Sequence, residues 1–127
     1  LHLHAHVSFH GAVSQDRLNT LLNNSDIFIM LSESTAEGDV EGFGIAIVEA
    51  NYLGLPAIGT KQTGISDAIN DGKSGRLIEN YDDAAFVEAV EEILSEYPNF
   101  RKGSMAWADE HKWEKKIEDY MNLICKK

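Results

Sequence analysis

The chain has 127 residues, enough for one domain with a hydrophobic core. Apolar residues make up 43% and charged residues 25%, the proportions of an ordinary globular domain, and no apolar run is long enough to cross a bilayer. The net charge of −10, from 11 basic and 21 acidic residues, argues against nucleic acid or an anionic membrane as the main partner. The single cysteine, Cys125, excludes an intrachain disulfide and fits a reducing, cytoplasmic compartment. No signal peptide is evident, and the opening Leu1-His2-Leu3-His4 in place of Met reads as a piece of a longer protein. Asn23-Asn24-Ser25 matches a glycosylation sequon, but nothing else points to secretion, and it is taken as chance.

In chain order, Val7-Ser8-Phe9 reads as a short strand closed by His10-Gly11. Ser14 suits the cap of a helix from about Gln15 to Asn24, with Leu18, Leu21 and Leu22 on its buried face. Asp26 to Leu31 is a nearly continuous apolar run of strand length, the pattern of a parallel strand buried on both faces. Ser32 to Gly42 is a polar loop, and a helix starts at Phe43 or Gly44 and ends near Tyr52, before Gly54 and Pro56. A short strand at Pro56–Gly59 leads to a loop and a short helix at Ser66–Ile69. Asn70 to Gly75 carries turn chemistry, and Arg76-Leu77-Ile78 is the next strand. Asp82 or Asp83 caps a helix to about Ser95, Pro98 opens another, and Trp113 to Ile124 forms the last.

Strands alternating with helices imply an α/β fold with a parallel sheet flanked by helices on both faces, and no internal domain boundary. Ligands of such sheets bind outside the carboxyl ends of the strands. The run Glu41-Gly42-Phe43-Gly44-Ile45-Ala46-Ile47-Val48-Glu49 lies at that place: two carboxylates eight positions apart, a Gly-x-Gly hinge between them, then a helix start. The N-terminus of a helix holds a phosphate with unpaired amides, an attraction worth about 0.3–2 kcal/mol. Acids beside it would repel the phosphate, so Glu41 and Glu49 are suited to accept hydrogen bonds from hydroxyls on either side. A sugar, a diphosphate and a ribose have that layout, and eight helical residues span about 12 Å.

Plainer readings apply to the other features. Two glutamates eight apart are usually solvated, and only the whole motif reverses that for Glu41 and Glu49; Glu37 and Asp39 are loop charges. Gly42 and Gly44 do not complete a dinucleotide fingerprint, and Gly72-Lys73-Ser74 lacks the upstream glycine of a P-loop. His2, His4 and His6 would share one face of a strand and could bind zinc, but they have no carboxylate or cysteine partner, so a frayed terminal strand is preferred. His111 reads as a helix-end surface residue, Trp107 and Trp113 as packing anchors, and Cys125 as a thiol with no partner to make it a nucleophile.

Asp39 to Ala50 followed by Gly54-Leu55-Pro56 resembles the donor-binding core of the retaining GT-B glycosyltransferases of family 4, the group 1 glycosyl transferases. Ser25 to Ser32 is similar to that family's buried strand and following serine. Thr63 to Ile69 with Gly72, Gly75 and Leu77 is similar to the segment after the next strand, and Trp113-Glu114 to a pair in the last helix. The resemblance runs from about Val7 to Ile124 and implies that residues 1–127 are a Rossmann-like, nucleotide-sugar-binding domain, the C-terminal half of a GT-B fold. It implies that Glu41, as the catalytic residue, contacts hydroxyls of the transferred sugar, and that Glu49 holds the ribose. Gly42, Phe43, Gly44 and Ile45 would present backbone groups to sugar and diphosphate, Gly64 and Ser66 would lie near the donor, and Ser32 would border the base.

The donor implied is a UDP-, GDP- or ADP-sugar, with no metal and no cofactor. The acceptor, a glycan or lipid, would be bound by a further N-terminal domain, which could also make peripheral contact with a membrane. The family's Arg and Lys that neutralise the leaving diphosphate belong to a segment upstream of His2, so the chain by itself is expected to bind donor weakly and to transfer nothing. The role implied is bacterial or archaeal polysaccharide or glycoconjugate synthesis. Two alternatives stay open: a GT-B-like phosphorylase or sugar-nucleotide epimerase domain, and a non-catalytic nucleotide-binding partner domain.

Overall fold

The structure is a computed structural model that describes residues 3–32, 43–61, 64–79 and 82–124. Its centre is a parallel sheet in the order β1 (Phe28–Met30), β2 (Ala57–Thr60), β3 (Gly75–Ile78), with Ala57 opposite both Phe28 and Gly75. Helix α2 (Ile45–Tyr52) connects β1 to β2, and a short 3₁₀ helix (Gly64–Ala68) follows β2. Helices α3 (Asp83–Ser95), α4 (Tyr97–Glu110) and α5 (Trp113–Ile124) follow β3, and α1 (Gln15–Asn23) precedes β1.

Alternation along β2 divides the core in two. Ala57 joins Ile47, Ile65, Ala68 and Ile69 on the face covered by α2 and the 3₁₀ helix. Ile58 joins Ile78, Ala89, Ile93 and Phe100 on the face covered by α3 and α4. Every residue of β2 is therefore buried, as a central parallel strand requires. Pro98 lies in the first turn of α4, where its missing amide hydrogen costs nothing. Asp82 caps α3, its carboxylate accepting from the Ala85 amide at 2.9 Å.

One buried carbonyl joins helix α4 to the sheet and to α2. Ser74 O accepts from the Ala57 amide at 3.1 Å, the Ser104 hydroxyl at 3.1 Å and the Asn51 side-chain amide at 3.4 Å. The Ser74 hydroxyl in turn accepts from the Asn70 amide at 2.9 Å, which closes the turn before β3. The polar turn thus becomes the joint between sheet, α2 and α4.

Four expectations are corrected. Val7-Ser8-Phe9 is not a strand: it pairs with no described strand, and Phe9 is 95% exposed. The histidines before it do not share a strand face, because residues 4–6 form a turn closed by the His6 amide on Leu3 O at 2.8 Å; His2 lies outside the described residues. Among the described residues no group of three or more His, Cys, Asp or Glu could hold a metal ion. Finally, β1 is not buried on both faces. Phe28 and Met30 pack on the α2 side, but Ile29 is 49% exposed, because β1 is the outer strand of the described sheet and α3 covers β2 and β3 instead. The leucines of α1 are half-buried rather than core, although Ser14 does cap the helix by accepting from the Arg17 amide.

Candidate functional site

Two connections meet at the carboxyl end of the sheet. One enters α2 through Phe43 and Gly44; the other is the 3₁₀ helix that follows β2. Gly44 is the N-cap of α2 in the left-handed region, φ 70° and ψ 52°, with no side-chain hydrogen bond to cap the helix. A side chain there would be strained by that φ and would meet Ile47 Cδ1 at 3.2 Å and Ala68 Cβ at 3.6 Å. The glycine lets the helix start sit directly on the 3₁₀ helix, and, having no side chain, it offers no acceptor of its own to the positive end of α2. The ends of β1 and β2 are joined beside it: the Ser32 amide donates to Thr60 Oγ1 at 3.1 Å, and the Thr60 hydroxyl donates to Ser32 O at 2.9 Å.

Glu49 lies four residues into α2 from Ile45, about 6 Å along the axis. Ile47, Ala50 and Asn51 turn to the core, so Ile45, Val48, Glu49 and Tyr52 turn the other way, as helical periodicity dictates. They line a cavity of about 490 Å³ whose opposite wall is α1 and whose end is the last turn of α4. That volume is within the range of small-molecule sites. Its apolar wall includes Leu18, Leu22 and Val48; Gln15, Asn19 and Glu49 bring polar groups to it. Gln15 Nε2 donates to Asn19 Oδ1 at 3.2 Å, which orients both amides. Glu49 is exposed and has no ion-pair partner among the described residues.

The cavity's lysine is already engaged. Lys112 Nζ stands 2.6 Å from Asp109 Oδ1 and 5.7 Å from the Tyr52 ring centroid, and Lys115 also donates to Asp109. The hydrogen bonds from Lys112 and Lys115, followed by their charges, hold the Asp109 carboxyl at about 2 instead of 3.8, and the Asp109 bond raises Lys112. Because the folded-state value is depressed, the stabilisation is complete above the unfolded value near 3.8 and is lost as pH falls through about 2. Thermal unfolding between pH 4 and 2 is therefore expected to show a steeper acid loss in the native protein than in Asp109→Asn. Lys61, at the end of β2, is paired with Glu79 at 3.3 Å.

Of the residues singled out by sequence, Gly44 lies against Ile65 and Ala68 of the 3₁₀ helix, Phe43 and Ile45 flank it in the chain, and Gly64 and Ser66 belong to that 3₁₀ helix. Glu49 lies one turn away in the cavity, whose described lining does not include Ser32. Glu41 and Gly42 lie outside the described residues. Sequence reasoning missed the polar wall of α1, although Gln15, Asn19 and Asn23 repeat at four-residue spacing beside Leu18 and Leu22. It also put His111 at a helix end but on the surface. That residue does end α4, but its ring is half-buried, 4.4 Å from Trp107 and 5.4 Å from Phe43 between centroids.

Comparison with known proteins adds a family. The profile described as "Glycosyl transferases group 1" matches residues 1–116. An N-acetyl-alpha-D-glucosaminyl L-malate synthase of Bacillus anthracis is 34% identical over 96 residues, 76% of this chain and 23% of that protein. A GDP-mannose-dependent alpha-(1-6)-phosphatidylinositol monomannoside mannosyltransferase of Mycolicibacterium smegmatis is 31% identical over 92 residues, 72% of this chain and 24% of its own length. An amylovoran biosynthesis glycosyltransferase of Erwinia amylovora is 36% identical over 67 residues, 53% of this chain and 16% of that relative. In each case the matched segment is less than a quarter of the relative's length.

Proposed function

Because the chain belongs to the glycosyl transferases group 1, we propose that residues 1–127 are the donor-binding domain of a retaining, metal-independent glycosyltransferase that takes its sugar from a nucleoside diphosphate. One observation carries the reading: Glu49 faces a ligand-sized cavity one turn from the glycine N-cap of α2, at the carboxyl end of a parallel sheet.

In this reading Glu49 accepts hydrogen bonds from the two ribose hydroxyls. The base lies against Leu18 and Leu22 with the Gln15 and Asn19 amides at its edge. The diphosphate meets the backbone amides at Gly44 and Ile45, flanked by Gly64 and Ser66, with Phe43 at the turn; Ser32, just past β1, borders the base. Glu41 and Gly42 take the hydroxyls of the transferred sugar. As the bond from the anomeric carbon to the diphosphate breaks, its electron pair leaves with the phosphate, and the helix N-terminus stabilises that growing charge. The acceptor hydroxyl forms the new bond on the same face, and its proton passes to the departing phosphate oxygen. The acceptor is a glycan or a lipid bound by the rest of the protein, on the cytoplasmic side where nucleotide-sugars are made.

The relatives' names include mannose and N-acetylglucosamine, so the nucleotide is the first thing to test. Calorimetry of the full-length protein with UDP, GDP and ADP is expected to show one preferred nucleotide. Turnover with the matching sugar donor is expected to release the free nucleoside diphosphate. Binding of none of the three at millimolar concentration would sink the reading. Release of a sugar phosphate from a glycan in inorganic phosphate would replace it by a phosphorylase.

A further inference from the structure

The last turn of α4 touches both connections that meet at the carboxyl end of the sheet. Trp107 and His111 are four residues apart and so share one helix face. Trp107 Nε1 donates to the carbonyl of Ala68, the final residue of the 3₁₀ helix, at 2.8 Å. The His111 ring lies against both Trp107 and Phe43, tilted 59° and 31° to them. His111 Nδ1 is 2.8 Å from Trp107 O; a carbonyl only accepts, so Nδ1 carries the hydrogen and the ring's orientation is fixed. Phe43 directly precedes the left-handed Gly44 and is itself 40% exposed, so the imidazole is its aromatic support among the described residues. The chain Phe43, His111, Trp107, Ala68 thus spans from the start of α2 to the 3₁₀ helix by way of α4.

We infer that His111 is a positioning residue for the donor: through its ring it holds Phe43, and through Phe43 it sets how the backbone enters α2 beside the 3₁₀ helix. The inference rests on the donor-site reading above. His111 also lines the end of the cavity, and the inference concerns the contact of its ring with Phe43 rather than contact with the donor.

Three variants of the full-length protein separate this role from its rivals. His111→Ala removes the ring, His111→Phe keeps a ring face without the Nδ1 hydrogen bond, and His111→Asn keeps a short N–H donor without the ring. Affinity for UDP, GDP and ADP is measured by calorimetry beside thermal unfolding. The alanine variant is expected to weaken the preferred nucleotide roughly three- to tenfold, the scale of one aromatic pair. Phenylalanine is expected to restore it, and asparagine to leave it weakened. Restoration by asparagine and not by phenylalanine would mean that His111 only ends α4, and would overturn the proposal. Failure of both to restore would mean that the imidazole meets the ligand itself, and would also overturn it. If the native protein binds none of the three nucleotides, the donor-site reading has failed, and this inference falls with it.

Discussion

Glu49→Ala is expected to weaken binding of the preferred nucleoside diphosphate by about 10- to 150-fold, the loss of roughly 1.5–3 kcal/mol from a charged group that accepts from ribose hydroxyls. Folding should be nearly untouched. Glu49 is exposed, and it has no ion-pair partner among the described residues whose charge its removal would strand. Glu49→Gln keeps an acceptor but not the charge, and is expected to fall between the two. Calorimetry with the nucleotide beside thermal unfolding makes the check. Affinity unchanged within twofold in both variants would remove the ribose role, whatever else binds in the cavity.

Gly103→Ala is expected to destabilise the domain by about 3 kcal/mol or more, although the same change in an exposed helix interior usually stabilises by about 1 kcal/mol. Gly103 lies in the middle of α4, where the helix backbone presses on the turn before β3. A Cβ at that position would stand 2.1 Å from Lys73 O and 2.8 Å from Lys73 C, backbone atoms that no side-chain rotation can move. To make room, α4 must retreat from the turn, and the Ser104 contact with Ser74 O at 3.1 Å is lost with it. For a domain of this size the loss corresponds to a melting temperature lower by roughly 10–15 °C. A melting temperature equal to or above that of the native protein would show that the helix and turn are not pressed together as described.

How much of this was legible in the sequence differs from element to element. The parallel α/β order was readable because helix periodicity, caps and turn residues agree: Ser14 and Asp82 do cap α1 and α3, and Pro98 does open α4. The stretch Asp26 to Leu31 was legible as a strand but not as an edge. Apolar content records the residue types, whereas burial depends on which neighbours arrive, and α3 covers β2 and β3. Val7 to Phe9 shows the same limit, since a strand needs a partner and local β propensity does not supply one. At the site, Gly44 and Glu49 were singled out because a helix start and a carboxylate have fixed meanings along the chain. Gln15, Asn19 and His111 were not, because their proximity to Glu49 and Phe43 arises from tertiary packing across segments far apart in sequence.

The carbonyl of Ser74 has a consequence for how the domain opens. An oxygen shared among a strand amide, a helix hydroxyl and a buried asparagine cannot be released by loosening one of those elements alone. The central strand, α2 and α4 should therefore unfold as a single cooperative unit, and the Ala57 amide should exchange its hydrogen with solvent only at the rate of global unfolding. Helix α1 contains no buried residue, and its amides should exchange through fraying that leaves this unit intact. One wall of the cavity would then be the most labile part of the domain, facing a wall that is among the most persistent.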